Sequence, residues 1–100
     1  MKFGEAIEKA RKGKKIARLW WGGKELYVYM TMGQLIPLDM WVPRMPSQEL
    51  TEVEKEKGYV NVMPHLDMMS VQRVRTIGWN PSQADMLADD WYVVDDEEVE

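Results

Sequence analysis

Three groups of side chains in this 100-residue chain have types and spacings that could do chemistry. The first is the run from Trp79 to Trp91. Asn80 reads as a helix N-cap, Pro81 as the first helical residue and Gln83 as the reciprocal partner of a capping box. A helix start offers unpaired N–H groups and partial positive charge to an anion, and Trp79 beside it offers a flat apolar face. Ala84, Leu87 and Ala88 would face a core, with Ser82, Asp85 and Asp89 turned outward. A phosphate joined to a base suits both features. A short capped helix between two core tryptophans accounts for the same residues. The second group is Arg73 and Arg75, one strand repeat apart, whose guanidinium forks suit a pyrophosphate if they share a face; a plain surface pair is commoner. The third is His65 with Asp67, an acid/base pair if both lie on one face of a strand. No nucleophile stands at a recognisable spacing from them, and a lone histidine is more often a structural hydrogen-bonding residue.

These residues need elements to hold them. Phe3, Ala6, Ile7 and Ala10 recur at helical spacing among charged residues, which predicts an amphipathic helix of about three turns stopping near Gly13. Lys15 to Trp21 alternates like a strand, Gly22-Gly23 signals a hairpin, and Glu25 to Met32 returns. Leu26, Val28, Met30 and Met32 form a core face. Tyr27, Tyr29 and Thr31 form the other face, a pocket wall or a subunit interface. From 33 to 58 the periodicity fails around Pro37, Pro43 and Pro46, which predicts a long irregular loop or an oligomerisation arm. The charged run Glu49 to Lys57 reads as solvated loop or a fraying helical turn. Tyr59 to Met63, the extended stretch 64–68, Val71 to Trp79 and Trp91 to Val94 read as further strands. The fold class is therefore α+β: a small antiparallel sheet with an N-terminal helix and a short C-terminal helix, one domain over 1–94, then an acidic tail over 95–100.

Composition narrows the function. Five tryptophans and four tyrosines against one phenylalanine favour side chains with an apolar body and a polar tip, as found in ligand pockets and interfaces. Cysteine is absent, so disulfide and thiolate chemistry are excluded and a cytosolic setting fits. No apolar run reaches the length of a membrane span, and the N-terminus lacks a signal peptide's apolar stretch. The net charge of −4 argues against a nucleic-acid partner, although residues 1–24 carry eight Lys/Arg and two Glu while 85–100 carry eight acidic residues and no base. Glycine-rich phosphate loops, metal-ligand spacings and nucleophile elbows are all missing. The residues by themselves support a small domain with an aromatic, arginine-bearing surface able to take a nucleotide-like ligand.

Three segments carry a resemblance to a known family. Phe3-Gly4-Glu5-Ala6, Gly13-Lys14-Lys15 and Trp20-Trp21-Gly22-Gly23-Lys24, then Pro64-His65-Leu66-Asp67-Met68, and last the run from Trp79 through Ser82-Gln83, Asp85-Met86-Leu87-Ala88 and Asp90-Trp91 resemble the Thoeris anti-defence proteins of the second type. The resemblance implies a non-catalytic, cofactor-free and metal-free sponge, a homotetramer acting in the cytoplasm of a phage-infected bacterium. It would sequester glycocyclic ADP-ribose, the signal of a TIR-domain sensor; some members also hold cyclic dinucleotides in a separate pocket. The expected ligand contacts are Trp21 and Trp79 with Tyr27 for stacking, and Asn80, Ser82 and Gln83 at the helix start. Arg73 or Arg75 would meet phosphate and Asp85 a ribose hydroxyl, or serve as a cap. Two rival readings are a phosphodiesterase using His65 and Asp67, and a protein- or nucleic-acid-binding module using the basic helix.

Overall fold

Helix α1, Phe3–Arg11, forms where the apolar and charged residues alternate at helical spacing. Glu5 accepts the Lys2 N–H at 2.9 Å in the first turn, and Lys9 and Arg11 occupy the last, so both ends complement the macrodipole. Its inward side carries Ala6 and Ala10, small enough to let the helix lie close on a sheet, and both are buried. The computed structural model describes residues 1–43 and 50–94. The acidic tail expected at 95–100 lies outside the described residues, as do Met45 and Pro46 of the middle segment.

The first compact unit comprises, among the described residues, 1–31 and 65–94. Its strands are β1 (Lys15–Arg18), β2 (Tyr27–Thr31), β5 (His65–Met69), β6 (Arg75–Ile77) and β7 (Trp91–Val94), and they form one antiparallel sheet in the order β6-β5-β2-β1-β7. Helix α1 covers the face that carries Ile16, Val28 and Trp91. These three are the largest fully buried apolar side chains, with Phe3, Ile7, Met30, Leu66, Met68, Trp79 and Ala88 packed around them. The short helix α4 (Gln83–Leu87) lies beside α1. The fold is thus α+β, with the N-terminal helix, the short C-terminal helix and the antiparallel sheet in place.

Three strand boundaries differ from expectation. The first strand stops at Arg18, and Leu19–Trp21 is a 3-10 turn closed by Gly22 at φ +80°. Asp90 draws the backbone away from a tight hairpin: its carbonyl accepts the Leu19 N–H and its Oδ2 the Trp20 N–H, each at 3.0 Å. The return strand therefore begins only at Tyr27. The stretch Val71 to Trp79 is a strand only over Arg75–Ile77, because Ser70 closes a turn that accepts the Arg73 N–H and pairs twice with Val74. Arg73 takes the left-handed conformation there, at φ 65°.

The second unit, Met32–Pro64, replaces the expected irregular loop with regular structure. Strand β3 (Gln34–Pro37) pairs with β4 (Tyr59–Val62), joining Ile36 to Val60, both buried. Between them lie α2 (Leu38–Trp41) and α3 (Glu52–Lys57). Of the two readings of the charged run, solvated loop or helical turn, the helical one holds, because Thr51 and Glu54 form a reciprocal capping box with bonds of 2.9 and 3.1 Å. Prolines end these elements without preventing them.

The sheet-to-α1 core carries the first unit. Ile16→Ala should lower its unfolding free energy by about 2–5 kcal/mol, read from urea denaturation. An unchanged midpoint would mean that α1 does not seal that face.

Candidate functional site

Two side-chain clusters occupy the two faces of the five-stranded sheet. The helix-side cluster grows from Trp91, whose ring meets Trp21 at 5.4 Å and Trp79 at 6.4 Å between centroids, both edge to face. Trp21 and Trp79 also meet edge to face at 6.2 Å, a geometry the ring quadrupole favours. The three therefore brace one another, with Trp21 and Trp79 half-buried. Trp20 is 78% exposed.

Around them the ions are already matched. Arg18 donates through Nε to Asp90 and through a terminal nitrogen to Asp85, each at 2.9 Å. Asp85 also accepts the Ser82 N–H through its second oxygen at 3.0 Å, while the Ser82 hydroxyl accepts the Asp85 N–H at 3.1 Å. Its carbonyl takes the Trp91 indole N–H at 2.9 Å. The helix cap is thus Ser82 with Asp85, and the expectation of Asn80 capping with Gln83 as partner is corrected. Asn80 and Pro81 precede the helix. The reach of Asp85 to Arg18 turns Asp85 inward; Leu87, expected to face the core, is 82% exposed. With both Asp85 oxygens engaged and its carboxylate seated on the first turn, the start of α4 is already supplied with an anion.

The proton chemistry follows. Hydrogen bonding from Arg18 holds the Asp90 carboxyl below the usual aspartate range, against a smaller opposing cost of burial. For Asp85, burial is the largest single influence and pushes the group up. The Ser82 backbone N–H, Arg18 and the Ser82 hydroxyl together outweigh it, and the group lies low. Arg18 is raised by its bonds to Asp90 and Asp85.

The opposite face presents a different chemistry. Tyr27 and Tyr29, two residues apart on β2, have ring centroids 6.2 Å apart. The Lys15 ammonium stands 4.9 Å from the Tyr27 centroid and the Arg75 guanidinium 5.3 Å from that of Tyr29. Arg75 also donates to the Tyr29 hydroxyl at 2.8 Å, and this bond raises the guanidinium above its ordinary value. Arg73 does not share the strand face of Arg75, as had been expected; from the turn it donates to the Glu25 carbonyl at 3.2 Å. Asp67, opposite Tyr29 in the ladder, is 1% exposed and accepts from the Thr31 hydroxyl and, at 2.9 Å, from the Gly78 N–H. His65 Nε2 lies 3.5 Å from the same carboxylate.

The expected contact residues therefore divide. Trp21, Trp79, Asn80, Ser82, Gln83 and Asp85 belong to the helix side, Tyr27 and Arg75 to the other face, and Arg73 to a turn. Stacked layers on a sheet are ~10 Å apart, so one copy cannot close both groups on one small ligand. On the helix side one guanidinium is set against two carboxylates, whereas on the tyrosine face Lys15 and Arg75 stand with the buried carboxylate of Asp67. Sequence reasoning placed Tyr29 on this face without singling it out, and it did not select Lys15. The i, i+2 spacing of Tyr27 and Tyr29 was the available signal. A hollow of about 350 Å³ in the second unit, lined among others by Leu35, Val53, Lys57, Tyr59 and Asn61, includes none of the expected residues. Among the described residues no group of three His, Asp or Glu could hold a metal ion, and no helix is long and apolar enough to cross a membrane.

These features define a small α+β protein whose sheet carries a half-buried tyrosine pair flanked by Lys15 and Arg75. Its family is explicit: the pattern of the Thoeris anti-defense 2-like domain matches residues 1–94, and the chain belongs to that family. A relative named Thoeris anti-defense 2, from Bacillus phage SP01, is 27% identical over 94 residues, covering 94% of each chain. Membership supports an anti-defence role.

The depressed Asp85 and Asp90 make a stability prediction. Their contribution is fully present above the ordinary aspartate value of ~4 and is lost as pH falls through the lower folded-state values. The urea midpoint should therefore drop on acidification, and Asp90→Asn should lower the neutral-pH midpoint while flattening that drop. A variant with the full acid-side loss would remove Asp90 from the account.

Proposed function

We propose that this chain sequesters a cyclic nucleotide-type immune signal, glycocyclic ADP-ribose, and inhibits Thoeris anti-phage defence by holding the signal without altering it. The observation that supports this best is the flanking of the Tyr27–Tyr29 pair by Lys15 and Arg75. Adenine offers a flat π surface to phenol rings and to a guanidinium plane, and the two phosphates carry charge that an ammonium and a guanidinium can meet. An anion approaching the α4 start would meet Asp85 and Asp90 instead. The family supplies the biological setting.

The protein acts as a homotetramer in the cytoplasm of the infected cell. In that assembly, Trp21 and Trp79 of a second copy complete a site that the tyrosine face of the first begins, with Asn80, Ser82 and Gln83 beside them meeting the uncharged ribose edge rather than the phosphates. Such a protein works by affinity and stoichiometry, so its requirement is a rigid, complementary surface rather than a proton-transfer set. Cyclic dinucleotides present the same two elements, a base and a phosphate, and are the alternative ligands. The competing reading is hydrolysis of the signal. The 3.5 Å approach of His65 Nε2 to buried Asp67 favours it, since a carboxylate orients a general base in this way.

Calorimetric titration with glycocyclic ADP-ribose, followed by heat release and chromatography, separates these. We expect saturable binding and recovery of the ligand unchanged. Arg75→Met should weaken binding by about ten- to a hundredfold, the worth of a hydrogen bond to a charged group. A cleaved product would replace the sponge by the hydrolase, and full affinity in Arg75→Met would move the site off the tyrosine face.

A further inference from the structure

We propose that Asp67 is the positioning residue of the tyrosine face: a buried carboxylate that fixes the edge strand β6, and with it Arg75, against Tyr29. Strand β6 has three residues, all exposed, and a partner on one side only. An edge this short frays unless something closes its end. Arg75 occupies its first position, so the 2.8 Å bond to the Tyr29 hydroxyl depends on where the strand lies.

Asp67 supplies the closure. It stands opposite Ile77, the last residue of β6, in the ladder. Its Oδ1 accepts from the N–H of Gly78, the first amide beyond the strand, at 2.9 Å, and its Oδ2 accepts the hydroxyl of Thr31 on β2. One carboxylate on β5 therefore ties the strand on one side to the chain leaving the strand on the other. Gly78 meets it at φ +81°, a conformation open to glycine. The next amide, Trp79, donates to the Leu66 carbonyl at 2.7 Å, so the exit from β6 is pinned twice in succession.

Burying a carboxylate this deeply is costly unless its bonds are satisfied. An apolar residue of the same bulk would avoid that cost, but it would leave the Gly78 N–H and the Thr31 hydroxyl without their acceptor. What the carboxylate adds is directional: it sets where β6 ends, and hence where Arg75 begins. This inference rests on the proposed function only for the identity of the ligand; the coupling of Asp67 to Arg75 stands apart from it.

Two variants of the full chain test it. Asp67→Asn keeps an oxygen for the Gly78 N–H and offers an amide N–H to the Thr31 oxygen; Asp67→Leu keeps the bulk and removes both bonds. The readouts are NMR exchange of the Gly78 amide and the Arg75 Nε–H signal, with amides of β1 as internal reference, followed by titration with glycocyclic ADP-ribose. In Asp67→Leu, Gly78 should exchange faster by about tenfold or more. The Arg75 signal should shift toward that of a free side chain, β1 should stay protected, and affinity should fall as far as in Arg75→Met. Asp67→Asn should restore all of these. If the leucine variant does not fold, Thr31→Val should give the same order of effects at smaller size. Equal acceleration in β1 and at Gly78 would make Asp67 a general stability residue and overturn the proposal, as would an unmoved Arg75 signal. A wild-type chain that binds no ADP-ribose isomer while Arg75 still follows Asp67 would sink the glycocyclic ADP-ribose assignment and leave the positioning role intact.

Discussion

A strand sends successive side chains to opposite sides, and in β2 that alternation divides the chemistry of the first unit. Val28 and Met30 go to the helix side and join Ile16 and Trp91 under α1. Tyr27, Tyr29 and Thr31 go to the other, where Lys15, Arg75 and Asp67 meet them from β1, β6 and β5. Shifting the β2 register by one residue would exchange the two sets and destroy both the core and the tyrosine face. The core is thus also what orients the tyrosines. Ile16↔Val28 in one ladder and Tyr29↔Asp67 in the next are held in step by the same strand.

The second organising contact is the guanidinium of Arg18, which gathers Asp85 and Asp90 at the end of the sheet where the chain turns past Trp20 and Trp21. A surface ion pair is worth little. Here the carboxylates also take backbone N–H groups from Ser82 and Trp20, so charge and hydrogen bonding converge on partly buried atoms. The consequence is structural and electrostatic together. The tryptophan turn is fixed, and the start of α4 is negative where a bare helix start would be positive.

Local patterns made much of this legible. Helix α1, the two faces of β2 and the strands β4, β5 and β7 follow from periodicity within a few residues, which needs no knowledge of distant partners. Asn80 and Ser82 are both good cap residues, and the Ser82-x-x-Asp85 capping box that selects Ser82 is itself local; what the sequence does not show is that Arg18, 67 positions away from Asp85, takes the other oxygen of that carboxylate. The turn at Ser70 hid behind an alternating run, so Arg73 was placed on a strand. The middle segment was obscured by its prolines, although Thr51-x-x-Glu54 is itself a readable helix start. Of the tyrosine face, the Tyr27–Tyr29 spacing was visible. The approach of Lys15 and Arg75 was not, because it depends on a strand order that brings residues 15, 27, 29 and 75 together.

The arrangement also bears on why such a surface would bind rather than react. On the tyrosine face the polar groups are spent on one another: Asp67 on Thr31, Gly78 and His65, and Arg75 on Tyr29. Bonds of this kind lower the mobility of the groups that make them, so less conformational freedom is lost when a ligand arrives, and affinity rises without new contacts. A general base must instead exchange its proton with substrate, and an imidazole tied to a carboxylate does so only where the substrate reaches its other nitrogen. Preorganisation through a buried carboxylate would therefore serve the proposed stoichiometric capture directly, and would tie its strength to how firmly a three-residue edge strand is held.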